Sequence, residues 1–215
     1  MRSAQRTLIA VPMKDPYQAK TRLGHVLDPE RRAALALLLF EQMIDRLYAA
    51  VDRSPLIGSD IAVVTASASI RKLADSYCVP VIQDRATGLS AAAERVRLWS
   101  RARKYDALCI FPADLAAPDP DDLRRVLEYP IEDTRVLICP SLDMGTNALV
   151  VPPASDFAFQ YGPRSFLAHR RAAQKAGLTP VILPCTSLRR DVDTVDDLSF
   201  LDEGVAVELR ASQLT

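Results

Sequence analysis

Glycine is scarce in this sequence, at 7 of 215 residues, whereas proline occurs 15 times. The two commonest phosphate-binding loops are built from glycine-rich backbone, and neither GxxxxGK[ST] nor GxGxxG is present. A P-loop nucleotidase and a dinucleotide-binding Rossmann protein are therefore both disfavoured. Any phosphate site in this chain has to be made in another way.

The sequence also lacks an excess of charge of either sign and any long apolar run. It has 27 basic and 27 acidic residues, a balance that argues against a general nucleic-acid binder. Because no stretch of 18 apolar residues occurs, we expect no membrane span. The apolar run after the first six residues is too short for a signal peptide, so we expect a cytoplasmic protein.

Closely spaced cysteines are absent as well. Cys78, Cys109, Cys139 and Cys185 stand far apart, and none belongs to a CxxC pair. Three of the four lie within apolar runs, which favours buried, reduced thiols and a reducing compartment. The cysteines are therefore interpreted as core residues, not as metal ligands.

What the sequence does contain is a regular alternation of short apolar strands and amphipathic helices. Strands are predicted at residues 8–11, 60–65, 79–82, 107–111, 136–139, 148–151 and 179–183. Helices are predicted at 28–50, 67–73, 88–103, 119–128 and 162–176, with another helix start at Thr194 and a short strand or irregular tail from Gly204. This alternation predicts a three-layer α/β/α fold with a mostly parallel sheet, in a single domain over residues 1–215.

The first predicted strand leads into a loop with three cationic side chains, Lys14, Lys20 and Arg22. Ligands of open α/β sheets bind beyond the carboxyl ends of the strands. We therefore interpret this loop as a site for an anion, with a phosphate chain as the favoured ligand. A solvated surface loop that binds nothing explains the same charges equally well.

Three aspartates also follow predicted strands. Asp114 comes just after the apolar run at 107–111, and Asp191 and Asp193 follow the run at 179–183. Mg²⁺ prefers hard oxygen ligands and is usually held by one or two carboxylates together with substrate phosphates. An extended segment would point Asp191 and Asp193 to the same side, where they could share a metal. The alternatives are a turn cap for Asp114 and a favourable charge at a helix N-terminus for Asp193.

A second anion site is suggested by the predicted helix start at Gly162, Pro163, Arg164 and Ser165. Free backbone N–H groups at a helix N-terminus bind anions, and Thr146 follows another predicted strand. Together these residues could hold the carboxylate or phosphate of a small second substrate, although a well-made helix start alone accounts for the pattern. His25 and His169 lack a second ligand at metal spacing and are interpreted as surface or hydrogen-bonded residues.

Five short motifs then occur in the order and spacing of a known family. They are Pro12-x-Lys14 with Ala19-Lys-Thr-Arg-Leu23, Pro112-Ala-Asp-Leu115, Gly145-Thr-Asn-Ala-Leu149, the aromatic pair Phe159 and Tyr161 before Gly162-Pro-x-Ser-Phe166, and Asp191-Val-Asp-Thr194 with Asp197-Leu198. From about Leu8 to Leu201 the chain resembles the guanylyltransferases that make the phospho-acid arm of coenzyme F-420. Members of that family act on 2-phospho-L-lactate, phosphoenolpyruvate or 3-phospho-D-glycerate.

The resemblance implies a Rossmann-like fold of the nucleotide-diphospho-sugar transferase kind and transfer of GMP from GTP with release of pyrophosphate. It implies Mg²⁺ on Asp114, Asp191 and Asp193, and catalytic roles for Lys14, Lys20 and Asp114. It assigns the acceptor to Thr146, Gly162 and Ser165, and the nucleotide to Lys14, Lys20, Arg22, Gly88 and Ser90. No nucleic acid or membrane partner is implied, and a homodimer is left open.

The chain departs from the family at the nucleobase end. Family members often have Gly-Leu-Asn-Ala where this chain has Gly88-Leu-Ser-Ala91, and a serine hydroxyl makes fewer hydrogen bonds than an amide. Two alternatives stay open. One is a sugar-phosphate or molybdenum-cofactor nucleotidyltransferase, which the glycine-free first loop disfavours. The other is a non-catalytic GTP-binding protein, which the three aspartates disfavour.

Overall fold

The computed structural model describes residues 5–53, 59–85 and 88–211, and strands of this part of the chain form a seven-stranded sheet. The strands are β1 (Thr7–Pro12), β2 (Asp60–Thr65), β3 (Val81–Gln83), β4 (Ala107–Ile110), β5 (Arg135–Pro140), β6 (Thr146–Val151) and β7 (Thr179–Ile182). They are ordered β3-β2-β1-β4-β6-β5-β7 across the sheet. The predicted fold class is confirmed.

Strand β6 is the exception to the parallel arrangement. It runs antiparallel to both of its neighbours, β4 and β5, whereas the other four pairs of strands are parallel. Its first residue, Thr146, pairs with Pro140 at the end of β5. Because β6 is reversed, the beginning of this strand lies at the sheet edge where its neighbours end. Thr146 therefore reaches the same edge as the residues that follow the parallel strands.

Helices cover both faces of the sheet, in three layers. They are α1 (Pro29–Asp52), α2 (Ala68–Ser76), α3 (Leu89–Ala102), α4 (Pro120–Leu127), α5 (Ser165–Lys175) and α6 (Glu203–Ala211). In β1, Ile9 and Val11 pack in a core with α1, α2 and α4, whereas Leu8 and Ala10 pack in a core with α3 and α5. Successive strand residues point to opposite faces, so this central strand is buried on both sides.

The predicted helix starts are largely confirmed. The Asp28 carboxylate accepts the backbone N–H of Arg31 at 2.8 Å, and Pro29 occupies the first turn of α1. Asp119 caps α4 in the same way, before Pro120. Ser67 precedes α2 as predicted, but its hydroxyl makes no cap and instead donates to Asp15 at 2.8 Å.

The prediction for the tail from Gly204 is wrong, because the residues from Glu203 to Ala211 form helix α6. Val205 and Leu209, four residues apart, are buried with Leu35 and Leu39 of α1 in a third core. This pair forms the apolar face of the short helix, and it stabilises the helix only because it packs against α1. Within the described ranges, no helix has the length and apolarity to cross a membrane.

Candidate active site

A cavity of about 810 Å³ opens at the sheet edge where the parallel strands end. Its wall is formed by residues that follow β1, β2, β3 and β4, by the start of α3 and by Thr146 of β6. This volume lies within the usual range for small-molecule sites. Six of the predicted site residues line it: Lys14, Lys20, Gly88, Asp114, Thr146 and Asp193.

The cationic loop places Lys20 deep in the site. Two short 3₁₀ turns, Pro16–Gln18 and Thr21–Leu23, flank this residue, whose backbone is left-handed with φ of 51°. The Lys20 side chain is only 3% exposed, and its Nζ lies 2.5 Å from Asp114 Oδ2 and 3.6 Å from Asp193 Oδ1. The ammonium thus bridges two of the three aspartates.

The other two cations of the loop are placed differently. Arg22 is exposed, and its guanidinium donates to Asp193 Oδ2 at 3.0 Å. Lys14 is also exposed, lines the cavity and has no ion-pair partner among the described residues. Lys14 is therefore available to an anionic ligand without breaking an internal contact, whereas Lys20 and Arg22 are held by carboxylates.

A short backbone ladder brings the three aspartates together although they are far apart in sequence. Leu115 pairs with Asp191 in an antiparallel bridge, and the N–H of Val192 donates to the carbonyl of Asp114 at 3.0 Å. Val192 is fully buried, and the aspartates on either side of it point to the opposite side of the segment from Val192, as the alternation predicts. The segment after β4 and the segment after β7 are thereby joined at the carboxylates.

The crowding of the carboxylates shows in their electrostatics. Burial, followed by the negative charges of Asp114 and Asp193, raises the pKa of Asp191 to about 6. An amide hydrogen bond from Asn147 to Asp191 at 3.4 Å offsets only part of this effect. The three aspartates thus form a site of unfavourable negative charge that a cation would stabilise.

In the described part of the chain, no group of three or more His, Cys, Asp or Glu side chains is positioned to hold a metal ion. In this arrangement the Lys20 ammonium, not a metal ion, contacts Asp114 and Asp193. The donors themselves are hard carboxylate oxygens of the type that Mg²⁺ prefers. The donor chemistry therefore fits Mg²⁺, and a magnesium role for the three aspartates stays a prediction.

A second polar group, next to the cavity, contains two of the three predicted acceptor residues, Thr146 and Ser165. Ser165 Oγ, at the start of α5, donates to Thr146 Oγ1 at 3.1 Å. Thr146 Oγ1 also lies 3.0 Å from Nδ1 of His169, whose Nε2 accepts the backbone N–H of Gln160 at 3.0 Å. His169 is fully buried, and burial lowers its pKa to about 4. The interpretation of His169 as a hydrogen-bonded residue is confirmed, and His25 is exposed as expected.

The loop from Ser141 to Gly145 sets the position of Thr146. Asp143 accepts hydrogen bonds from the Ser141 hydroxyl and, at 3.0 Å, from the Gly145 N–H. A Cβ at Gly145 would lie 2.6 Å from Ser141 Oγ, so only glycine fits without a shift. Gly162, three residues before Ser165, has a φ of 138° that side chains rarely adopt.

The two residues predicted at the nucleobase end, Gly88 and Ser90, have different surroundings in the structure. Gly88 lines the cavity, with a φ of 93° and no atom near the place of a Cβ. Ser90 Oγ accepts the backbone N–H of Tyr161 at 2.8 Å, which ties the start of α3 to the aromatic segment before α5. The hydroxyl of Ser90 thus has a structural partner, and its contact with a nucleobase stays a prediction.

Four further polar residues line the cavity that the sequence did not single out as ligands: Asp15, Gln18, Ser67 and Asp84. Ser67 donates to Asp15 at 2.8 Å and lies 2.8 Å from the Ser69 hydroxyl. Ser67 and Asp84 follow β2 and β3, so the rule that ligands bind at strand ends would have identified both. From the sequence, Ser67 is placed only at the start of the predicted helix at 67–73.

Sequence comparisons connect this geometry to known proteins. The family model described as "Guanylyl transferase CofC like" matches residues 7–202. A 3-phospho-D-glycerate guanylyltransferase from Colwellia psychrerythraea is 36% identical over 91% of each chain. A phosphoenolpyruvate guanylyltransferase from Rubrobacter xylanophilus is 32% identical over 93% of this chain and 95% of its own.

Solved structures agree on the fold. One described as a nucleotide-diphospho-sugar transferase from Desulfovibrio desulfuricans superimposes with a TM-score of 0.76 at 18% identity, over 98% of this chain and 96% of that one. A nucleotidyl transferase from Methanothermobacter gives 0.65 at 14% identity, over 96% of this chain and 100% of that one. The predicted nucleotidyltransferase class is confirmed, and the chain belongs to the guanylyl transferase CofC-like family.

Proposed function

We propose that this protein transfers GMP from GTP to a three-carbon phospho-acid, in the biosynthesis of coenzyme F-420. A phosphate oxygen of the acid attacks the α-phosphorus of GTP, and the bond from that phosphorus to the oxygen bridging to the β-phosphorus breaks. The products are a guanylylated acid with a diphosphate bridge and pyrophosphate. The observation that carries this proposal is the meeting of Lys14, Lys20, Asp114 and Asp193 in a cavity that also includes Thr146.

The cations of the first loop hold the triphosphate. Lys14 is exposed on the cavity wall, where it can meet a phosphate directly. Lys20 and Arg22 already lie beside carboxylates, so they can move from these partners to phosphate oxygens when the nucleotide binds. Positive charge at these positions stabilises the negative charge that develops on the leaving pyrophosphate. Cationic side chains thus bind the phosphates, a role that backbone N–H groups have in proteins with a glycine-rich loop.

The carboxylates are the proposed magnesium ligands. Asp114, Asp191 and Asp193 supply oxygen donors from two segments that a backbone ladder joins. Mg²⁺ bound there would stabilise charge on the attacking and leaving oxygens. The raised pKa of Asp191 supports this role, because crowded carboxylates gain stability from a cation.

The acceptor lies on the side of Thr146, Gly162 and Ser165. Its phosphate is already an anion, so the reaction requires no nucleophile from the protein. Relatives bearing the names 3-phospho-D-glycerate guanylyltransferase and phosphoenolpyruvate guanylyltransferase support a phospho-acid with three carbons. Such an acid presents both a phosphate and a carboxylate to hydrogen-bond donors.

Incubation with GTP, Mg²⁺ and each of 2-phospho-L-lactate, phosphoenolpyruvate and 3-phospho-D-glycerate tests the proposal. We expect pyrophosphate and a guanylylated acid with one of the three, read by coupled assay and mass spectrometry. Asp114→Asn should abolish turnover, whereas Asp75→Asn, an exposed position on α2, should leave it unchanged. No turnover with any acid, together with turnover of a sugar phosphate, would refute the proposal.

A further inference from the structure

The hydroxyl of Thr146 is hydrogen-bonded in a way that determines the direction of its proton. Thr146 Oγ1 accepts from Ser165 Oγ at 3.1 Å and lies 3.0 Å from His169 Nδ1. A hydroxyl has two acceptor lone pairs and one donor proton. If His169 also donates, both lone pairs are used, and the remaining proton is free for a group outside this network.

The tautomer of His169 follows from its other ring nitrogen. The backbone N–H of Gln160 lies 3.0 Å from Nε2 and can only donate, so Nε2 has to be the unprotonated nitrogen. A neutral imidazole then carries its proton on Nδ1, the atom beside Thr146. A ring turned by half a rotation would offer C–H groups to both partners and lose both hydrogen bonds. The backbone thus selects one tautomer and one orientation of the ring.

Packing holds this arrangement in place. His169 is fully buried, with the ring of Tyr161 edge-on at 4.7 Å and that of Phe157 at 5.7 Å between centroids. Tyr161 itself lines the cavity, as does Thr146. A buried imidazole with fixed partners cannot easily exchange tautomers through water, so the direction of the chain of hydrogen bonds is preset.

We propose that His169 is a positioning residue that turns the Thr146 hydroxyl proton toward the cavity, where it donates to a phosphate or carboxylate oxygen of the acceptor. The proposal rests on the proposed function for the identity of that ligand. It assigns His169 no contact with substrate and no proton transfer. It makes the Thr146 position selective for an oxygen that can accept a hydrogen bond, since a donor group placed there would find both lone pairs occupied.

The alternative is that His169 has only a packing role in the core between α5 and the aromatic segment. The two roles differ in their effects on kinetics. A filler changes stability and disturbs the site generally, whereas a positioning residue acts only through the Thr146 hydroxyl. Removal of that hydroxyl should therefore make the identity of residue 169 irrelevant to acceptor binding, which a double-mutant cycle measures.

The kinetic test uses Thr146→Val, Thr146→Ser, His169→Gln and the double variant Thr146→Val/His169→Gln. Glutamine retains an acceptor for the Gln160 N–H and lacks the Nδ1 donor. We expect Thr146→Val and His169→Gln each to raise KM for the acid by about tenfold to a hundredfold, the range for a hydrogen bond to a charged group. KM for GTP should stay within about twofold, Thr146→Ser should retain tight acid binding, and the double variant should match Thr146→Val alone.

Nitrogen-15 NMR of the imidazole in the acid-free wild-type protein tests the premise without any variant, so a variant that fails to fold leaves the proposal testable. We expect a protonated Nδ1 and an unprotonated Nε2. The opposite tautomer, additive losses in the double variant, or an equal rise in KM for GTP would each overturn the proposal. A wild-type protein that releases no pyrophosphate with any acid would instead refute the proposed function, and the imidazole spectrum would still decide the direction of the Thr146 hydroxyl.

Discussion

Asp191→Asn should make the protein more stable while abolishing its activity. The side chain of Asp191 accepts a hydrogen bond from Asn147, and an asparagine oxygen can do the same. What the substitution removes is a negative charge held beside Asp114 and Asp193 in a largely buried place. Residues that serve a site at the expense of the fold typically behave in this way.

The magnitude follows from the pKa of this carboxyl, which is about 6 in the folded chain against an ordinary value of 3.8. Between these two values the folded protein keeps a proton that the unfolded chain has released. Stability is therefore fully present below about pH 4 and is lost as the pH rises through about 6. A shift of this size corresponds to about 3 kcal/mol, which Asp191→Asn should recover at neutral pH.

Thermal unfolding across this pH range, without divalent cations, measures the effect. At about pH 7.5 the variant should melt about 6–12 °C above the wild type, and near pH 4 the two should coincide. Asp75→Asn, an exposed control on α2, should follow the wild type throughout. A variant that melts below the wild type at neutral pH, or a gap that does not change with pH, would refute the electrostatic reasoning.

Three other substitutions test the stability of the structure around the site. In the wild type, the free energy of unfolding should fall by up to about 3 kcal/mol as the pH is lowered from about 6.5 to 4, because the unfolded imidazole gains a proton that burial denies the folded one. His169→Gln should not show this pH-dependent loss, and urea unfolding at both pH values measures it. Lys20→Met should cost about 2–3 kcal/mol in thermal unfolding, since it leaves the aspartates without their ammonium, whereas Lys14→Met should change stability by less than about 0.5 kcal/mol. Arg97→Met should cost about 3 kcal/mol, because the buried guanidinium donates to Glu94 and to two carbonyls of the turn after β6, and exposed Arg101→Met serves as the control in urea. An equal effect of the test and control substitutions would contradict the last two predictions.

The sequence predicted the layers of the fold because local patterns carry them. Continuous apolar runs such as 107–111 mark strands covered on both faces, and Asp-Pro pairs mark the starts of α1 and α4. The reversal of β6 is not encoded locally, since it depends on which neighbours the strand pairs with. Helix α6 was missed for a related reason, because Val205 and Leu209 matter only against α1.

The sequence predicted where the candidate site lies, but not the contacts that its side chains make with one another. Strand ends identified Asp114, Thr146 and Asp191, since all polar groups at that sheet edge converge. The insertion of Lys20 between Asp114 and Asp193 requires a left-handed backbone residue and a ladder between distant segments, neither of which leaves a local signal. The His169 network depends on the backbone N–H of Gln160. Because every residue except proline has such a group, the sequence contains no signal that this one donates to an imidazole.

The central claim, attack by the phosphate of an acid on the α-phosphorus of GTP, is tested most directly by isotope tracing. The acid is labelled with oxygen-18 in its phosphate and incubated with GTP, Mg²⁺ and the wild-type protein. The labelled oxygen should appear in the bridge of a guanylylated acid, with one unlabelled pyrophosphate released for each molecule formed. Label in pyrophosphate or inorganic phosphate, or conversion of GTP to GDP without a guanylylated product, would contradict the mechanism proposed for this site.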